Sequence, residues 1–121
     1  MFLNARELPN GEVIEAEVCI IGAGAAGITL ARQLAATGLN IVLLESGDLA
    51  FDPATQSLYD GHVSGSGRSY FDLDEGRLRF FGGTTNHWTG WCRPIDPIDF
   101  ETRPYIADSG WPISADDVTP Y

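Results

Sequence analysis

Basic residues are scarce in this chain of 121 residues, in which seven Lys and Arg face seventeen Asp and Glu and the net charge is −10. Because contacts with phosphate backbones need clustered Lys and Arg, we expect neither nucleic acid nor an anionic membrane as a partner. Two cysteines, Cys19 and Cys92, are too few for a disulfide framework. No apolar run reaches the roughly 20 residues of a membrane span, and residues 1–10 lack the apolar core of a signal peptide. The sequence predicts a cytoplasmic protein, with export to the periplasm alongside a partner subunit left open.

Metal-ligand patterns are also missing from the sequence. The carboxylates from Asp96 to Glu101 do not follow a calcium-loop pattern, so we predict no metal site and interpret these acids as a solvated surface. Cys19 lies within an apolar strand pattern and is expected to be buried. A packing role is expected for Cys92, and a surface position for His62. The three tryptophans are expected in the core: Trp88, Trp91 and Trp111.

A strand–helix–strand pattern occupies the first third of the chain. Val13–Ile21 is a run that becomes apolar and stops at Gly22, which predicts a buried parallel strand. Ala25–Thr37 is rich in Ala and Leu with apolar residues at helical spacing, and Gly38 closes the predicted helix. Asn40–Glu45 predicts a second strand. These elements make a βαβ unit over residues 13–47, so the predicted fold class is α/β with a Rossmann-like start.

The pattern changes after residue 47. Residues 48–76 predict a long connection, polar and Gly-rich over Asp48–Ser69. The remaining segment, 77–121, begins with a possible short strand at Arg77–Phe81, and helical turns are predicted at Pro97–Thr102 and after Ser114, a candidate N-cap. A doubly wound sheet has about five or six strands. Since only two convincing strands are found, the chain looks like part of a larger domain.

The strongest functional signal is the glycine fingerprint of residues 22–27, GAGAAG. Gly22 permits a tight turn out of the strand, Gly24 lets the backbone approach a pyrophosphate, and Gly27 allows the helix to pack closely on the strand. The phosphates would lie at the helix N-terminus, where free N–H groups favour negative charge. A strand precedes the motif, a helix follows it, and an acid ends the second strand. The predicted cofactor residues are Gly22, Gly24, Ala25, Ala26, Gly27, Glu45 and Ser46.

Glu45 bears on the choice of dinucleotide. Its position at the end of the second strand predicts hydrogen bonds from an adenosine ribose, and a carboxylate there disfavours the 2′-phosphate of NADP. NAD and FAD both fit the fingerprint.

A second glycine motif distinguishes this chain from a simple NAD-binding domain. Residues 77–93 read RLRFFGGTTNHWTGWCR, in which two adjacent glycines precede hydroxyl, amide, imidazole and indole groups. Such a loop can bring backbone N–H groups close to a cofactor and place His87 and Trp88 beside it. A simple NAD-dependent domain has no need for this insertion.

With these motifs the sequence resembles the glucose–methanol–choline (GMC) oxidoreductases, nearest the branch of pyranose oxidases and sugar dehydrogenases. The resemblance covers nearly the whole chain. Its motifs are GAGAAG at Gly22–Gly27, ESG at Glu45–Gly47, GGTTNHWTG at Gly82–Gly90, DSGWPIS at Asp108–Ser114 and DDVTPY at Asp116–Tyr121. The resemblance implies a two-domain fold that this chain contains incompletely: residues 1–121 would be the N-terminal part of the FAD-binding domain, without the substrate domain.

The resemblance also implies that the cofactor is FAD and that the second motif faces the flavin. In pyranose oxidases the histidine at the position of His87 carries a covalent bond to the flavin 8α-methyl carbon. The commoner GMC loop has Asn where Trp88 stands and no histidine. The flavin-side residues implied in this chain are Gly82, Gly83, Thr84, Asn86, His87, Trp88 and Thr89.

The function implied by the resemblance is oxidation of an alcohol or sugar hydroxyl by hydride transfer to flavin N5. The electron acceptor stays open between oxygen, a quinone and a haem subunit. Neither His62 nor His87 lies in a motif that matches the family's catalytic base, so we assign no catalytic residue. Two alternatives remain open: an NAD-binding oxidoreductase module, and a non-catalytic truncated remnant.

Overall fold

Two parallel strands and the helix between them form the centre of the structure, a computed structural model that describes residues 1–63 and 71–121. Strand β1, Val18–Ile21, pairs with strand β2, Ile41–Leu44, in the register Val18↔Ile41 to Ile21↔Leu44. Helix α1, Ala25–Ala35, connects them. The α/β class and the Rossmann-like start predicted from the sequence are confirmed.

The ends of these elements differ slightly from the predicted ones. The strand expected from Val13 begins only at Val18, because the pairing of the two strands starts at Asn40. The Asn40 carbonyl accepts from the amides of Glu17 and Val18, and the Asn40 amide donates to the Glu17 carboxylate. The helix expected to reach Thr37 ends at Ala35, where a turn leads to Gly38 with φ 86°. The elements themselves are as predicted.

The core around β1 is small. Ile20 and Ala23 are its buried apolar residues, and no large side chain in residues 1–63 or 71–121 is completely enclosed. Side chains alternate along a strand, so Cys19 and Ile21 lie on the face opposite Ile20, and both are exposed. The prediction that Cys19 is buried was therefore wrong, because the described residues cover only the Ile20 face of the strand.

The connection after β2 contains more structure than the sequence suggested. Helix α2, Pro53–Gln56, begins at Asp52, whose carboxylate accepts from the amide and the hydroxyl of Thr55 at 2.8 and 2.6 Å. A 3₁₀ turn, Ser57–Tyr59, follows directly. Proline at the first helical position after an Asp cap is a typical helix start. His62 is exposed, as expected, and residues 64–70 of this connection lie outside the described residues.

The strand expected at Arg77–Phe81 does not form. Its amides bond outside any ladder: Arg79 N donates to the Gln56 side chain, and Phe81 N donates to the carbonyl of Asp48. The segment is held by these bonds and by edge-on ring contacts of Phe80 with Phe51 and of Phe81 with Phe2. Residues 77–81, called the strap below, are therefore an irregular segment where a strand was expected.

The chain divides into two compact units, Met1–Trp88 and Thr89–Tyr121. The second unit contains two short helices, α3 (Pro97–Phe100) and α4 (Ala115–Val118), close to the predicted helical turns. Ser114 caps α4 in a reciprocal capping box with Asp117, which confirms the predicted cap.

The prediction that the three tryptophans lie in the core and that Cys92 has a packing role was wrong. Trp88, Trp91 and Trp111 are all more than half exposed, and Cys92 is exposed. Trp111 makes one edge contact with Phe100, with ring centroids 6.3 Å apart. The unit is only 33 residues long and rich in turns, so it has too little covering chain to bury side chains of this size.

Candidate dinucleotide-binding site

The turn from β1 into α1 has the geometry that the fingerprint requires. Gly22 has φ 98°, which favours glycine, and its amide donates to the carbonyl of Leu44 at 2.7 Å. A Cβ added to Gly27 would lie 1.9 Å from the carbonyl oxygen of Gly22 and 3.5 Å from Ile20 Cγ2. The helix therefore lies so close to the strand that only glycine fits at position 27.

The N-terminus of α1 presents unpaired amides. Gly24 caps the helix with no side-chain hydrogen bond, and in the described part of the chain no acceptor pairs with the amides of Gly24, Ala25, Ala26 or Gly27. A Cβ added to Gly24 would contact nothing within 4 Å, so the approach to these amides is open. Free N–H groups at a helix N-terminus form an anion-binding site.

Glu45 directly follows β2 and its carboxylate bridges the two strand ends. Oε2 accepts from the amide of Ala23 at 2.8 Å, and Oε1 accepts from the amide of Gly47 at 2.9 Å and the hydroxyl of Ser46 at 3.3 Å. Partial burial opposes ionisation, but the hydrogen bonds from Gly47, Ala23 and Ser46 outweigh it and lower the pKa of Glu45. The side chain is thus an ionised acceptor fixed beside the fingerprint turn.

Ala23 is a residue that the sequence analysis did not single out. It is 1% exposed, its amide donates to Glu45, and its carbonyl accepts from the amide of Gly82 at 2.8 Å. The backbone of one residue therefore links the fingerprint turn, the residue that follows β2 and the second glycine motif. The signal available in the sequence was the small side chain between two glycines, which alone does not specify these partners.

The second glycine motif packs directly on the first. Gly82 and Gly83 both have positive φ, 92° and 56°. A Cβ added to Gly83 would lie 3.2 Å from the Cα of Gly24. The structure therefore brings together the motif expected at the pyrophosphate and the motif expected at the flavin.

Polar side chains of the second motif stabilise its own loop. Residues Gly83–His87 form a 3₁₀ helix. Asn86 Nδ2 donates to the carbonyls of Phe81 and Gly83 at 2.9 Å each, and Thr84 Oγ1 accepts from the amide of Leu78 at 3.3 Å. His87 and Trp88 are exposed at the end of this helix. Thr89 is the first residue of the second unit.

Gln56, at the end of α2, positions the strap that leads into this loop, and no pattern in the sequence indicates this role. It is 7% exposed, and its side-chain amide donates to the carbonyls of Asp74 and Arg77 and accepts from the amide of Arg79 at 2.9 Å. All three bonds span more than fifteen residues of sequence. Gln56 therefore ties α2 to the strap.

A cleft of about 380 Å³ lies at the carboxyl ends of the two strands. Gly22, Leu44, Glu45 and Ser46 line one part of it, and Tyr59 and Arg79 line another. Arg79 Nε is buried and has no hydrogen-bond partner in the described chain. The volume falls within the range of small-ligand sites.

These features fit a dinucleotide. The open amides of α1 suit a pyrophosphate, the ionised Glu45 suits ribose hydroxyls, and the cationic Arg79 lines the same cleft as Gly22 and Glu45. Ligands of parallel α/β sheets bind beyond the carboxyl ends of the strands, where this cleft lies. The fold and the site define a Rossmann-like dinucleotide-binding protein.

Comparison with known families identifies the dinucleotide. Residues 17–109 match the family described as FAD dependent oxidoreductase (DAO). The match covers most of the chain, which therefore belongs to this family. Its cofactor is FAD, and this decides between the FAD and NAD that the fingerprint left open.

Two curated proteins are similar to the chain. The 6'''-hydroxyparomomycin C oxidase of Streptomyces lividus is 29% identical over 117 residues, which cover 87% of this chain and 21% of that protein. The fructose dehydrogenase large subunit of Gluconobacter japonicus is 26% identical over 144 residues, covering 93% of this chain and 26% of its own length. The chain thus spans about a fifth to a quarter of these relatives. No solved structure matches it.

A membrane-crossing helix is absent from the described residues, since none of their helices is long and apolar enough. The same residues contain no cluster of three or more His, Cys, Asp or Glu side chains suited to a metal ion.

Proposed function

We propose that the protein is an FAD-dependent oxidoreductase of the GMC type that oxidises an alcohol or sugar hydroxyl. The observation that carries the proposal is the packing of the histidine-bearing loop on the fingerprint, through Gly82 N on Ala23 O and Gly83 on Gly24. The names of the two relatives, an oxidase and a fructose dehydrogenase, support a hydroxyl-bearing carbohydrate as substrate.

Each part of the site has a proposed role in holding FAD. The pyrophosphate lies on Gly22, Gly24 and the α1 amides up to Gly27, which include Ala25 and Ala26. The adenosine ribose lies at Glu45, whose carboxylate is already ionised and has remaining acceptor capacity beside Ser46. The flavin-side residues are Gly82, Gly83, Thr84, Asn86, His87, Trp88 and Thr89.

When bound, FAD supplies the acceptor for the hydride that leaves the substrate carbon, and the residues of this chain bind and orient it. The electron acceptor for such a flavin would be oxygen, a quinone or a haem partner. We assign no catalytic base among the 121 residues, because neither histidine lies in a matching motif. Residues 1–121 form the N-terminal part of the FAD-binding domain in this proposal, and the substrate is bound elsewhere.

His87 is the proposed site of covalent attachment to the flavin 8α-methyl carbon. It is exposed at the end of a 3₁₀ helix whose first residue, Gly83, contacts Gly24, so its imidazole is accessible. The bond to His87 would replace one hydrogen of the imidazole and one of the methyl group, a two-electron oxidation. The enzyme's electron acceptor would take up these two electrons.

The denatured intact mass of the protein purified from its source tests this attachment. We expect an increment equal to FAD less two hydrogen atoms that maps to the peptide containing His87 and disappears in His87→Ala. His62→Ala is the matched control and retains the increment. Flavin that is released on denaturation would contradict the covalent bond and leave the FAD assignment intact.

Substrate oxidation is tested separately with an artificial electron acceptor and a panel of sugars and simple alcohols. We expect reduction of the dye with a carbohydrate hydroxyl as donor. Activity confined to amine donors would contradict the proposed reaction.

A further inference from the structure

We propose that Arg79 binds a phosphate oxygen of the adenylate half of FAD and that Tyr59 and Gln56 hold its side chain and backbone for that contact. The inference rests on the proposed function, in which the pyrophosphate lies on α1 and the ribose at Glu45. Arg79 belongs to neither glycine motif: it lies outside the fingerprint of residues 22–27, on the strap that precedes Gly82.

The first observation is that Arg79 has a positive charge which no ion pair of the described residues neutralises. Arg79 lines the cleft together with Gly22 and Glu45, its Nε is buried, and no acceptor pairs with that Nε in residues 1–63 or 71–121. Neither of the two ion pairs of the described chain, Arg6–Asp48 and Arg93–Asp96, involves it. Since neither ion pair neutralises the guanidinium, an anionic ligand group in the cleft would be a favourable partner for it.

The second observation is that the position of Arg79 is fixed from several sides. Its amide donates to Gln56 Oε1 at 2.9 Å. Its carbonyl packs on Gly47, three residues after β2, so closely that a Cβ on Gly47 would lie 2.1 Å from it. The guanidinium lies over the Tyr59 ring, with the central carbon 4.7 Å from the ring centroid. A preorganised guanidinium loses less conformational entropy when it binds.

The third observation concerns the carboxylate in the same cleft. Glu45 accepts hydrogen bonds from Ala23, Gly47 and Ser46 and forms no ion pair with Arg79. The cleft therefore contains an acceptor for ribose hydroxyls and a separate cation for an anion. The helix N-terminus supplies only about half a positive charge, against two phosphate charges and a chain of net charge −10.

A phosphate is favoured over the adenine ring as the partner of Arg79 because Gly22 lies in the same cleft. Gly22 immediately precedes the open amides of α1, so this part of the cleft adjoins the predicted phosphate position. A guanidinium forms paired hydrogen bonds to phosphate oxygens. Stacking of Arg79 on adenine is the competing arrangement, and the experiment below distinguishes the two.

The test measures the affinity of adenosine, AMP and ADP by calorimetry. It uses the protein as its source encodes it, with His87→Ala in every variant so that the flavin can be removed. Arg79→Gln is compared with Arg77→Gln, since Arg77 contacts the same Tyr59 ring at 4.8 Å but does not line the cleft. We expect Arg79→Gln to weaken AMP and ADP about tenfold or more and to leave adenosine unchanged. Arg77→Gln should leave all three unchanged.

Arg79→Lys keeps the charge without the planar group and should retain part of the AMP and ADP affinity, which also guards against a misfolded Arg79→Gln. An equal loss for adenosine, AMP and ADP in Arg79→Gln, with no recovery in Arg79→Lys, would refute the phosphate contact. So would unchanged ADP affinity in Arg79→Gln. If the His87→Ala protein with Arg79 intact binds neither ADP nor FAD, the proposed site itself fails.

Discussion

Replacing Gly27 with Ala tests the central packing of the site. The new Cβ would lie 1.9 Å from the carbonyl oxygen and 3.1 Å from the carbonyl carbon of Gly22, and both are backbone atoms that cannot rotate away. The helix must therefore move off β1 and away from Ile20. Overpacking of this kind costs about 3 kcal/mol at the upper end of its usual range, and the better helix propensity of Ala returns about 1 kcal/mol. We expect a net loss of about 2 kcal/mol in the free energy of unfolding.

Gly24→Ala is the matched control for this substitution. Gly24 has φ −80° and an added Cβ meets nothing within 4 Å, so the fold should keep its stability. The methyl group does occupy the approach to the α1 amides, and ADP affinity should fall. Circular dichroism during thermal unfolding and calorimetric titration with ADP separate the two effects. Equal melting temperatures for Gly27→Ala and Gly24→Ala would refute the packing argument.

Three further predictions concern stability. The pKa of Glu45 lies below its ordinary value of 4.5, so the ionised side chain contributes its full stabilisation above pH 4.5 and loses it as pH falls through the lowered pKa of the folded state. Urea unfolding between pH 6 and 3 should show this loss of stability, and Glu45→Gln should remove this part of the pH dependence. Gln56→Leu leaves three backbone groups unpaired and should lower the free energy of unfolding by about 3 kcal/mol. Gln33→Leu, at an exposed position of α1, should change it little. Equal effects of the two substitutions would contradict the role of Gln56 in holding the strap. Ser114→Ala removes the cap of α4, which should cost about 1 kcal/mol locally and speed hydrogen exchange of the Asp117 amide; unchanged exchange would show that the cap is dispensable.

The elements around the fingerprint were predictable because their signals are local. An apolar run that stops at a glycine, a helical period that begins three residues later and a second apolar run specify β1, α1 and β2 to within a few residues at most ends. The Ser114 cap was predictable for the same reason, since its partner Asp117 is three residues away. Burial was predicted less well. The tryptophans were expected inside because of their size and apolar character, and Cys19 because of the apolar strand around it, but burial depends on which chain segments cover a face.

The sequence by itself determined the class of cofactor site: the turn at Gly22, the close approach at Gly27 and the acid at Glu45 follow from backbone sterics and strand ends over fewer than thirty residues. Only the tertiary structure decided that Gly83 rests on Gly24, that Gln56 holds the strap and that Arg79 enters the cleft beside Glu45. These contacts join residues twenty to sixty positions apart through single hydrogen bonds and close backbone approaches. They leave no periodicity in the sequence, because each depends on where a distant segment crosses the sheet.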